Sequence, residues 1–142
     1  MLVKQISVFV ENQPGRLAKL TRILADHEID IIAICIADTV DFGILRCIVD
    51  KPDEATEVLK ANGFTASTTK VLAVELEDQP GGLASVLEFL SGAGISIEYV
   101  YSFVRSRQDK ALILFKVDEP EKAVDILGEK NVRILCLSDM QK

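Results

Sequence analysis

At 142 residues the chain has the length of one average domain or two very small ones, and 49% hydrophobic with 27% charged residues is an ordinary globular composition that excludes disorder and fibres. Sixteen Lys and Arg against 22 Asp and Glu leave a net charge of −6, so the electrostatic footprint for a phosphate backbone or an anionic membrane is missing and nucleic acid and membrane are not expected partners. The opening MLVKQISVFVENQPG has no small-residue cleavage site, and no run of about 18 apolar residues follows, so the expected location is the cytosol. Cys35, Cys47 and Cys136 are odd in number and set in apolar runs, which suits reduced thiols in a core rather than a disulfide framework.

The chain is written twice. Residues 11–31, ENQPGRLAKLTRILADHEIDI, align with residues 77–97, EDQPGGLASVLEFLSGAGISI, at an offset of 66, with nine of 21 positions identical. The match resumes at an offset of 68, where IVDKPDEATEVL (48–59) meets KVDEPEKAVDIL (116–127), so the second copy holds two extra residues, placed in a hairpin tip. A unit this small buries too little surface to be more than marginal alone, so the halves are expected to pack together.

Each copy changes hydrophobic period in the same order. Ile6, Val8 and Val10 alternate along a first strand, as do Leu72, Val74 and Leu76. Gln-Pro-Gly then starts a helix whose apolar stripe is Leu17, Leu20 and Leu24 in one copy and Leu83, Val86, Leu87 and Leu90 in the other. IDIIAICIAD and ISIEYVYSFV read as second strands, Ile44 to Asp50 and Ala111 to Val117 as third strands, and Thr39 to Gly43 and Arg105 to Lys110 as hairpin turns. Second helices open at Pro52 and Pro120 and carry Ala55, Val58 and Leu59, or Ala123, Ile126 and Leu127. Gly63 and Asn131 lead into short last strands. The expected fold is therefore α+β: two ferredoxin-like βαββαβ units in tandem duplication, residues 1–70 and 71–142, each an antiparallel sheet with its helices on one face. The last strand of the first unit runs into Val71 without a break, so exchange of last strands between units stays open. The stretch Ile31 to Ile36 is apolar at almost every position, which predicts cover on both sheet faces.

Catalytic side chains are few. His27, the single histidine, falls at the end of the first helix between Asp26 and Glu28, where a charge-compatible helix terminus explains it, and no metal cluster can form around it. Cys35 and Cys47 are equidistant from Asp41, so the hairpin could set them opposite one another, though nothing basic nearby would activate a thiol. RNA recognition would need aromatic platforms among cations, and the first and third strands offer Phe9 and Phe115 in an acidic background. Arg105, Arg107 and Lys110 read as a solvated hairpin tip. Ser-Gly-Ala-Gly at 91–94 follows a helix and lacks the third glycine of a dinucleotide loop. The chain is accordingly expected to have no catalytic residue, no metal and no cofactor.

What remains is the duplicated strand-to-helix loop, Asn12-Gln13-Pro14-Gly15-Arg16-Leu17 and Asp78-Gln79-Pro80-Gly81-Gly82-Leu83. Glycine lets the backbone come close to a bound group just where a helix start presents unpaired N–H groups and its positive dipole end, an arrangement that suits a carboxylate or phosphate. One such loop reads as a tight turn into a helix. Two copies, each led by an amide or acid, point to a ligand.

At these residues the sequence resembles the ACT domain family, whose first strand ends in Asn-x-Pro-Gly-x-Leu before a helix, and the whole chain resembles a tandem ACT pair without a catalytic domain. The resemblance implies a stand-alone regulatory protein that is not an enzyme and binds a free L-amino acid at the interface of two units. By this resemblance Asn12 and Asp78 would bond the α-amino or α-carboxyl group. The motif positions Pro14, Gly15, Arg16 and Leu17, with Pro80, Gly81, Gly82 and Leu83, would hold the ligand, the residues after each proline through their backbone N–H groups. Asp30 and Ser96, early in the second strands, would reach a ligand held by another unit. Some serine-binding members have a histidine two residues before the Asn; here Val10 and Leu76 stand there, which leaves the side-chain preference open. Expected partners are the amino acid, a second copy in a homodimer, and an enzyme of amino-acid metabolism. Two other classes stay open: a regulatory subunit or interaction module with silent loops, and an acylphosphatase-like enzyme in which Arg16 binds phosphate and Asn12 orients water.

Overall fold

The structure, a computed structural model, describes residues 2–38, 41–102 and 110–141. The chain divides into two compact units, Lys4–Thr69 and Lys70–Lys142, the latter joined by Met1–Val3. The division falls inside one strand, because nothing between Thr65 and Glu77 interrupts extended backbone. Residues 1–3 group with the second unit rather than the first, since Leu2 packs on the second unit's core.

The first unit contains β1 (Val3–Glu11), α1 (Arg16–Asp26), β2 (Ile31–Asp38), β3 (Phe42–Val49), α2 (Pro52–Ala61) and the start of β4 (Thr65–Glu77). Its strand order is β2-β3-β1-β4. The second unit uses the rest of β4, then α3 (Gly82–Gly92), β5 (Ile97–Ser102), β6 (Lys110–Val117), α4 (Pro120–Glu129), β7 (Arg133–Leu135) and α5 (Leu137–Met140). Its order, β5-β6-β4-β7, repeats the first. Each unit is thus the ferredoxin-like βαββαβ arrangement the duplication predicts, and each keeps its own last strand.

The alternation along β1 turns Ile6, Val8 and Val10 onto Leu20 and Leu24 of α1 and onto Ala55 and Leu59 of α2. Leu72, Val74 and Leu76 do the same for Val86, Leu90, Ala123 and Leu127. Proline at the first turn starts α2 and α4. Their ends are closed alike: Gly63 and Asn131 adopt φ of +85° and +59°, and the amides of Phe64 and Val132 donate to Leu59 and Leu127 at 3.0 Å. Two stripe positions depart from expectation: Leu17 and Leu83 are 38% and 37% exposed. They stand in the first helical turn, Leu17 on the rim of a depression whose other wall is made by Val10, Ile36 and Gly43.

The third strands begin earlier than the sequence suggests, so Phe42, Gly43 and Lys110 belong to β3 and β6 rather than to turns. Thr39 and the basic residues Arg105 and Arg107 lie outside the described residues. On the sheet face opposite the helices, Ala33, Ile48 and Gln5 are buried, as the apolar second strand predicts, whereas Ile36, in register with Leu45 on the helix face, is exposed near the strand end. The last strand of the second unit is cut to three residues by α5, whose start is closed by Cys136 and Asp139: the Cys136 amide donates to the Asp139 carboxylate at 3.1 Å.

Cys35 and Cys47 are not opposite one another. Cys47 pairs with Ile34 and Cys35 with Arg46, so the two thiols point to opposite faces of the sheet. Burial pushes the Cys47 thiol up to about 12. The folded chain keeps this proton after the unfolded chain, with a thiol near 9.0, has released it, so stability falls as pH rises. Each pH unit from 9.0 towards 12 is expected to remove ~1.4 kcal/mol. Urea titrations from pH 8 upward measure this, and Cys47→Ala should flatten the slope relative to the wild type.

Candidate functional site

Both strand-to-helix loops are built by the same local physics. Gly15 and Gly81 take φ of +88° and +92°, the left-handed region that a side chain resists, and serve as N-caps of α1 and α3 without any side-chain cap. The carbonyls of Gly15 and Gly81 accept from Lys19 and Ser85 at 2.9 and 3.0 Å, closing the first helical turns. Asn12, Gln13 and Pro14, and their counterparts Asp78, Gln79 and Pro80, are exposed. The Asn12 amide donates to the Asp41 carbonyl at 3.2 Å, which pins the first loop to the chain entering β3.

The loop amides do not all remain for a ligand. That of Arg16 donates to the Gln13 carbonyl at 3.3 Å and that of Gly82 to Gln79 at 3.0 Å, so both close a turn instead. The amides of Leu17 and Leu83 stand in the first turn, with no carbonyl four residues back inside the helix. With the leucine side chains exposed above them, each loop offers a donor beside an apolar surface. A depression of about 140 Å³ adjoins the first loop, walled by Asn12, Gln13, Leu17, Ile36 and Gly43. Gly43 keeps it open, since a Cβ there would meet the Ile36 side chain at 3.1 Å.

Asp30 and Ser96 are not brought to the loop of their own unit. Each sits where the second strand begins, while the loop lies near that strand's far end; eight residues of β2 at ~3.3 Å apiece separate the two. Their backbones are held alike, with the Asp30 amide donating to the Asp50 carboxylate at 2.9 Å and the Ser96 amide to Asp118 at 3.0 Å. The sequence reading missed this pair of acids, although Asp50 and Asp118 occupy matching places before each Pro. The Arg16 guanidinium lies over the Phe64 ring, 4.6 Å from its centroid, rather than reaching over the loop. That posture does not match an arginine presented to phosphate beside Asn12. His27 caps the end of α1, its Nδ1 2.9 Å from the Ile23 carbonyl oxygen. Among the described residues no group of three or more His, Cys, Asp or Glu is placed to hold a metal, and no helix is long and apolar enough to cross a membrane.

The model of the ACT domain pair family matches residues 1–142. The crystal structure of protein BT0572 from Bacteroides thetaiotaomicron is similar at 42% identity and a TM-score of 0.94, covering 100% of this chain and 97% of that one. The ligand-free regulatory subunit of aspartate kinase from Thermus thermophilus shares the fold at 20% identity and a TM-score of 0.66, over 90% of this chain and 93% of that one. The corresponding subunit from Thermus flavus does so at 18% identity and 0.63, over 89% and 90%. No curated protein matches the chain in sequence. With the duplicated loop in both units and the family model matched from end to end, the chain belongs to the ACT domain pair family.

Proposed function

We propose that this chain is a regulatory sensor, not an enzyme, that binds a free L-amino acid at its strand-to-helix loops. Binding shifts the arrangement of its units or subunits, and differential affinity for the two arrangements is the signal. The observation that carries this reading is the repetition in both units of an uncapped helix start behind a left-handed glycine. That start favours a carboxylate, and the polar residue leading each loop, Asn12 or Asp78, can take the ligand's amine or carboxylate. Asp30 and Ser96 complete the pocket for a ligand held by another unit, as in the family. The fold shared with regulatory subunits of aspartate kinase supports an output read by an enzyme of amino-acid metabolism, and a homodimer is the proposed assembly.

A thermal-shift screen of the twenty amino acids tests this reading. A ligand at 100 times its dissociation constant adds about 2.7 kcal/mol, enough for a visible rise in Tm. The expected result is a selective rise that Asn12→Ala or Asp78→Ala removes while the unliganded Tm is unchanged. A flat screen would instead make the chain a partner-binding module with silent loops.

A further inference from the structure

Away from the loops, the two units treat one repeated pair of charges differently. Counting by the repeat, Lys70 and Glu121 correspond to Lys4 and Asp53. In the first unit Lys4 Nζ closes onto the Asp53 carboxylate at 2.9 Å. In the second, Lys70 and Glu121 stand on the wall of a cavity of about 350 Å³, together with Leu2, Val124 and Asp125. Among the described residues Lys70 has no ion-pair partner. Lys70, Glu121 and Asp125 are exposed, whereas Leu2 and Val124 are half-buried, so the cavity has an apolar floor and a rim of two acids and one cation.

The same unit carries the longer hairpin. Residues 103–109, Phe-Val-Arg-Ser-Arg-Gln-Asp, join β5 to β6 and hold Arg105, Arg107 and Asp109, where Thr39 to Gly43 of the first unit has no cation. Two cations and one acid are the complement of Glu121, Asp125 and Lys70, sign for sign. The segment cannot reach the cavity of its own unit. Lys110, where β6 begins, is in register with Glu77, and Lys70 lies seven residues back along β4, about 23 Å at ~3.3 Å per residue. Seven residues tethered at both ends extend no more than half their length, about 12 Å.

We propose that the basic hairpin tip of one copy docks in this cavity of a second copy of the chain. Arg105 and Arg107 pair with Glu121 and Asp125, Asp109 pairs with Lys70, and the apolar Phe103 and Val104 cover Leu2 and Val124. In a two-fold dimer the contact is made twice, with the second units side by side and antiparallel. Exposed ion pairs are individually weak, so holding two chains takes several on one segment, repeated by symmetry. A free amine or acid would satisfy one sign of the rim and leave the other unmatched. The first unit cannot dock this way, because Lys4 is spent on Asp53 and its own hairpin has no cation. The contact rests on the proposed homodimer and not on amino-acid binding at the loops.

Sedimentation equilibrium of the full chain tests it, with Arg105→Glu plus Arg107→Glu as the tip variant and Glu121→Lys plus Asp125→Lys as the cavity variant. The wild type is expected to be a dimer whose dissociation constant rises with salt. Each variant should dissociate at least tenfold more readily, because like charges then face one another. An equimolar mixture of the two should return to dimer, since basic tips meet acidic cavities and acidic tips meet basic ones. Circular dichroism checks that each variant is folded; should the cavity variant not fold, Asp125→Lys alone repeats the comparison. A wild type that is monomeric at every concentration, a dimer unmoved by both swaps, or a mixture that stays monomeric overturns the proposal. The unmoved dimer would leave the homodimer standing on another surface, and because mass is read without ligand, none of these results is confused with a flat amino-acid screen.

Discussion

Replacing Phe115 by Ala is expected to destabilise the second unit by ~3–5 kcal/mol, the usual cost of truncating a fully buried aromatic side chain. Phe115 is 0% exposed on β6, pairs in register with Leu72, and packs in the cluster formed by Val74, Leu90, Val117 and Leu127. Removing the ring forfeits its transfer free energy and leaves a cavity that helices pinned to a four-stranded sheet can close only in part. A unit of this size has a stability on the order of 5 kcal/mol, so this one change should consume most of it. Urea unfolding followed by circular dichroism gives the total, and amide hydrogen exchange should place the loss of protection in residues 70–141. A shift below about 1 kcal/mol would mean that Phe115 is not packed as described.

Gly82→Ala should follow it in size, although the matching residue of the first unit is an arginine. A Cβ on Gly82 would stand 2.2 Å from the carbonyl oxygen of Glu77 and 3.5 Å from Leu76 Cδ1. Neither side can yield cheaply, because Glu77 is held in β4 by its register with Lys110 and the Gly82 amide is tied to Gln79. Overpacking against backbone costs ~1–3 kcal/mol or more, and here the loop must reopen to relieve it. In the first unit Arg16→Ala retains a Cβ that is already accommodated and loses only the stacking on Phe64, expected at ~1 kcal/mol. Parallel thermal melts of the two variants compare the loops directly. Equal shifts would show that the second loop is no tighter than the first.

This difference between the loops marks where reading the sequence stops. From residue order alone the duplication is plain, and so is the order of strands and helices, because apolar periods of two and 3.6 follow directly from strand and helix geometry. The left-handed turns at Gly15, Gly81 and Gly63 are legible for the same local reason. So is the family's loop motif, which singled out Asn12 and Asp78. A local pattern cannot say what a side chain meets. The helical period of α1 and α3 includes Leu17 and Leu83, but whether a stripe position is covered depends on which side chains of other elements reach it.

Register has the same character. Equal spacing of Cys35 and Cys47 about Asp41 suggests a facing pair, yet β2 and β3 are aligned one residue away from that symmetry, and a slip of one residue turns a side chain to the opposite face. The short helix α5 rests on a cap between Cys136 and Asp139, and cysteine seldom signals a helix start, so nothing in the residue order announces a helix after the short last strand.

Sequence by itself thus determined the repeat, the two βαββαβ units and the loops that make candidate ligand contacts, since these depend on residues near one another in the chain. Tertiary structure alone decided that Arg16 is spent on Phe64, that Arg16 and Gly82 give their amides to turns, and that Leu17 and Leu83 stay exposed. Those outcomes depend on side chains from different strands and helices meeting in space, and no periodicity along the chain encodes which of them fill a volume and which leave it open.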